Sequence, residues 1–91
     1  MKYVMLGKYS VEAIRNISKQ RTEEVKKIIS NNKGRVEAMY VLLGPYDLIF
    51  IVNFPSEKEA IKTSVELTKL TGIGFTTMPT ITVAEFDRFV G

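Results

Sequence analysis

Ninety-one residues, 45% hydrophobic and 25% charged, make one globular domain (residues 1–91) that buries roughly 64% of its unfolded-chain surface. The chain has neither cysteine nor histidine, which excludes disulfides, thiol nucleophiles, His-dependent triads, haem on a proximal His and ordinary zinc sites, and leaves carboxylate, Tyr or Lys chemistry and carboxylate binding of hard metals. The net charge of +3 is spread along the chain, with Lys26-Lys27 beside Glu23-Glu24, so a solvated helix face is expected and a nucleic-acid footprint is not.

Tyr3 to Tyr9 reads as a first strand. No apolar run approaches the ~20 residues of a membrane span, and no small-residue cleavage pattern follows the short apolar start. The expectation is a cytoplasmic protein without a membrane partner. Ser10 is a plausible N-cap for a helical region reaching about Asn32, whose apolar stripe runs Val11, Ile14, Ile17 and then skips to Val25, Ile28 and Ile29. Two readings of the gap stay open. Either the helix is interrupted, with Ser18 or Thr22 capping a second piece, or it is continuous and sends Arg21 toward the packed side. Asn31-Asn32-Lys33-Gly34 ends it, with Gly or Asn expected in the left-handed conformation.

Val36–Leu43 and Asp47–Phe54 are the second and third strands, joined through Gly44-Pro45-Tyr46-Asp47 as an antiparallel hairpin. Leu48-Ile49-Phe50-Ile51-Val52 is apolar on both faces, so both faces of that strand call for cover. Ser56-x-x-Glu59 opens a second helix to about Leu70, with Ala60, Ile61, Ser64, Val65 and Thr68 on one side. Thr71-Gly72 stops it. Gly74 to Val83 is the fourth strand, and Pro79 within it predicts a sheet edge or a bulge. Thr82-x-x-Glu85 starts a short terminal helix through Phe86 and Phe89.

The order β-α-β-β-α-β with a central hairpin predicts an α+β, ferredoxin-like split βαβ fold: a four-stranded antiparallel sheet, strands one and three central. Its helices cover one face only. With Val4 and Leu6 placed under the helices, Tyr3 and Met5 would face a second subunit, and two sheets would close a dimeric α+β barrel.

Gly44-x-Tyr46-Asp47, the β-α unit that follows, Leu70-Thr71-Gly72-Ile73-x-x-Thr76-Thr77 and Thr82-x-x-Glu85-Phe86 closely resemble the GYD domain family over essentially the whole chain. The resemblance implies the ferredoxin-like, dimeric α+β barrel architecture. The second half also resembles, more weakly, the effector-binding domain of leucine-responsive transcription regulators, through Gly44-x-Tyr46-Asp47, Gly72-Ile73, Thr77 and Ile81. That likeness implies a small effector held at a subunit interface.

The ligand-binding candidates are Tyr46, Asp47, Arg21 and Thr77. Tyr46 and Asp47 offer a hydroxyl and a carboxylate beside a Gly-containing turn, where a small molecule can approach the backbone; otherwise they are turn chemistry. Arg21, with Arg15 six residues earlier, would fork onto a carboxylate or phosphate, or else lay its stem over apolar surface. Thr76, Thr77, Thr80 and Thr82 would line a polar cavity or simply suit an edge strand. Tyr3, Tyr9, Tyr40 and Phe50 read as core or interface aromatics. No cofactor and no metal are expected. The leading functional expectation is a homo-oligomeric small-molecule-binding or interaction module. The alternative is a cofactor-independent enzyme of monooxygenase or isomerase type, with Asp47 or Glu37 as base and Tyr46 or Tyr40 as acid or hydrogen-bond donor.

Overall fold

A computed structural model describes residues 1–91. The chain runs β1 (Lys2–Lys8), α1 (Val11–Arg15), α2 (Lys19–Asn31), β2 (Arg35–Val41), β3 (Leu48–Asn53), α3 (Glu57–Thr71), β4 (Gly74–Pro79) and α4 (Val83–Val90). All four strands join one antiparallel sheet in the order β2-β3-β1-β4. The α+β class and the central placement of β1 and β3 follow the sequence expectation, and the order is consistent with a ferredoxin-like arrangement. Pro79 closes β4 on a sheet edge, opposite Tyr3. β4 is shorter than its apolar run suggested, because both the amide and the hydroxyl of Thr80 donate to the carbonyl of Lys2 and turn the chain away.

The face assignment reverses the sequence expectation. Tyr3 and Met5 are buried on the helix side, at 2% and 0% exposure, with Phe50, Val52 and Leu48 of β3 beside them. Val4 and Leu6 lie on the other side, paired with Ile51 and Ile49, and are only half-buried. The inner face is sealed by Val25 and Ile29 of α2 and by Ala60, Thr63, Leu67 and Thr71 of α3. Ile61 and Val65, expected to face inward with Ala60, are exposed, so the buried stripe of α3 advances by three and four residues through Thr63 and Leu67. Aromatic rings bracket the core. Tyr3 meets Phe54 edge-on at 5.7 Å, and Phe50 meets Phe75 at 5.3 Å.

The helical region is interrupted. Ser10 caps α1 by accepting from the Ala13 amide, and Ser18, in extended conformation, caps α2 by accepting from the Arg21 amide, each at 3.0 Å. At the far end of α2 the left-handed residue is Lys33 (φ 64°), not the expected Gly or Asn. Gly34 is needed for space: a Cβ there would lie 2.6 Å from the Phe54 ring and 2.7 Å from Ile29 Cγ2.

In β2 an extra residue, Glu37, sits between Val36 and Ala38, which face Val52 and Ile51. The bulge directs its carboxylate to Lys2 (3.4 Å) and to the Asn53 amide. α4 begins at its Thr82 cap, with the Glu85 amide donating to Thr82 Oγ1, and buries none of its residues. The radius of gyration, 13.9 Å, exceeds the ~12 Å expected of a compact chain this long.

Thr63 is buried with no hydrogen-bond partner for its hydroxyl. Thr63→Val keeps the shape and removes an unpaired polar atom, so it should raise the free energy of unfolding by about 1 kcal/mol. Urea denaturation checks this; a lower midpoint would show that the hydroxyl does have a partner in solution.

Candidate functional site

The break between α1 and α2 shapes the site. Because α1 stops at Arg15, the Ile17 amide turns to the Ile14 carbonyl and leaves the Ala13 carbonyl without its helical donor. Arg21 Nη1 supplies one, at 2.6 Å. The guanidinium carbon lies 5.8 Å from the centroid of the Tyr9 ring, in reach of a cation–π attraction. Arg21 is half-buried and has no carboxylate partner, so four of its five N–H donors are unclaimed by protein.

Beneath this guanidinium, between the N-terminal half of α2 and the inner face of β2 and β3, opens a pocket of about 350 Å³. Val25, Met39, Leu48, Phe50 and Ile73 supply apolar surface; Tyr9, Ile17, Thr22 and Val41 add to the wall around Arg21 and Lys26. Lys26 is exposed and shares a loose 3.9 Å ion pair with Glu23. The pocket holds no carboxylate. Its volume lies in the range of small-molecule sites, mostly apolar with a few polar groups to fix orientation.

Asp47 does not line this pocket but holds one of its walls. Asp47 Oδ2 accepts from the Tyr9 amide at 2.8 Å, the Asp47 amide donates to the Gly7 carbonyl, and the Leu42 amide donates to the Asp47 carbonyl. The carboxylate therefore ties the end of β1 to the hairpin and positions Tyr9 under Arg21. Gly44, at φ 144°, lets the turn bring Asp47 back to this place. Tyr46 is half-buried and lines neither this pocket nor the next.

Thr77 lies elsewhere. It sits in a second groove of about 400 Å³ with Tyr3, Ile61, Val65, Phe75 and Pro79, and its hydroxyl bonds that of Ser64. Burial pushes the Tyr3 phenol above its ordinary pKa there, and the charges of Glu57 and Glu59 add to the effect. Of the four sequence candidates, then, Arg21 and Asp47 meet through Tyr9, whereas Thr77 belongs to a separate groove. Sequence reasoning missed Tyr9, Met39 and Ile73 as pocket walls. The one available signal was the apolar gap from Ser18 to Glu24, where α2 starts afresh.

Asp47→Ala should cost about 2 kcal/mol, because the Tyr9 amide loses its partner, whereas Asp47→Asn keeps an acceptor and should cost on the order of 1 kcal/mol or less. Chemical denaturation of both variants checks the order; equal losses would mean that the Tyr9 amide is satisfied by water.

The model for the family described as GYD domain matches residues 3–90. No curated protein matches the chain.

Proposed function

The chain belongs to the GYD domain family, and from that premise we propose that it is a homo-oligomeric binding module: two copies pair through their open sheet faces, and the pocket under Arg21 takes a small molecule. The observation that carries this reading is the uncovered face of the sheet. Val4, Leu6, Ile49 and Ile51 form its centre, with Tyr40 and Met78 exposed at either side and no helix over them. Four strands ~4.8 Å apart and six residues long make a face of roughly 19 by 20 Å, about the few hundred Å² at which an apolar patch marks an interface. The exposed Phe86, Phe89 and Val90 of α4 add further apolar surface that a second copy would cover. The Lys2, Glu37 and Asn53 cluster supplies polar groups at one end of the same face.

Sedimentation equilibrium at micromolar concentration tests the assembly. A mass twice the 10.3 kDa of the chain, or a higher multiple, is expected; a soluble monomer alone would overturn it. The pairing also explains why a strand with two apolar faces is tolerated, since each face is then removed from water. Catalysis by Asp47 or Glu37 draws no support from the pocket, because neither carboxylate lines it: Asp47 accepts from the Tyr9 amide behind its wall and Glu37 lies on the opposite face of the sheet.

A further inference from the structure

We propose that the pocket under Arg21 binds a singly charged carboxylate with an apolar tail, a medium-chain fatty acid or an arylalkanoate in size and kind. This rests on the reading of that pocket as a small-molecule site and adds the ligand's chemical class. Arg21 is the observation that selects it. A half-buried guanidinium facing an apolar cavity without a carboxylate partner is a cation whose counter-ion is missing from the chain itself. One Nη1 bond to the Ala13 carbonyl and the Tyr9 ring hold the guanidinium in one orientation, so its remaining donors form a fixed fork.

The floor decides the rest of the molecule. Val25, Met39, Leu48, Phe50 and Ile73 offer no hydrogen-bonding side chain, so only an apolar tail leaves them without an unpaired polar neighbour. The charge count decides the headgroup. Lys26, the other cation of the pocket, is exposed and keeps its charge in water at the rim beside Glu23, so the half-buried Arg21 is the positive charge that a headgroup inside the pocket meets, and one negative charge balances it. A doubly ionised phosphate monoester would bring a charge with no partner into a half-apolar site.

The test uses the full chain labelled at its methyl groups and titrated with octanoate, 3-phenylpropionate, octanamide and octyl phosphate. Octanoate and 3-phenylpropionate should shift the Val25, Met39 and Ile73 methyl signals saturably, and octanoate should bind about tenfold or more tightly than octanamide, the margin of a charge-assisted hydrogen bond. Arg21→Lys should weaken octanoate by several-fold, and Arg21→Gln should erase its margin over octanamide. Because Arg21 also serves the Ala13 carbonyl, each variant is read alongside its melting temperature; the ligand comparison on the unmodified chain decides the matter even if a variant unfolds. Equal binding of octanoate and octanamide, or tighter binding of octyl phosphate, would overturn the ligand class while leaving the pocket a small-molecule site. No saturable shift with any of the four, or pocket methyls that move only with protein concentration, would overturn the pocket reading as well, whatever sedimentation shows about assembly.

Discussion

Met5→Asp should unfold the chain. Met5 has no exposed surface and stands between Phe50 of β3 and Thr77 of β4 on the helix-covered face. An aspartate there exchanges a well-packed thioether for a buried carboxylate with no cation among its cross-strand neighbours. The lost packing and the unpaired charge together cost about 4 kcal/mol or more, most of the stability of a domain this small. Urea denaturation followed by circular dichroism should show little or no folded baseline. A cooperative transition near that of the parent would return Met5 to the outer face and with it the whole sheet orientation.

Leu6→Asp, one residue on, should do the opposite: it should leave the fold intact and break the proposed pairing of sheets. Leu6 points to the open face between Ile49 and Thr76 and is half-buried in the single chain. In a lone copy an aspartate there keeps access to water, so the loss of folding stability should stay within about 1 kcal/mol. In a paired copy the same carboxylate is shut into an apolar interface, twice over by symmetry. Self-association should weaken by about a hundredfold or more, the equivalent of ~2.7 kcal/mol. Sedimentation of the folded variant as a monomer is the expected outcome; an unchanged assembly would place the interface on another surface, α4 first among them. The two neighbours thus test one assignment from both sides.

What the sequence determined was which residues belong together. Alternation along β1 and β3 puts Tyr3 with Met5 and Val4 with Leu6 whatever else happens, since the strand repeat is two. The turn at Gly44-Pro45-Tyr46-Asp47 made β2 and β3 a hairpin, Pro79 sent β4 to an edge, and Ser10, Ser18 and Thr82 marked helix starts that the chain uses. Each of these signals is local, resting on a few covalently near residues, and so is readable without the fold.

Only the tertiary structure decided which face the helices cover. When both faces of a strand carry large apolar groups, the pattern is nearly symmetric, and the choice falls to the path of the crossovers and the fit of α2 and α3 against particular side chains. The same holds for the site. Ser18 made a helix break readable as one of two possibilities, but that Arg21 would close back on the Ala13 carbonyl, lie over Tyr9 and face a pocket depends on contacts between α1, α2 and the sheet. Asp47 reads as turn chemistry from its neighbours alone. Its partner, the Tyr9 amide, is 38 residues away in sequence, a distance over which periodicity carries no information and only packing does.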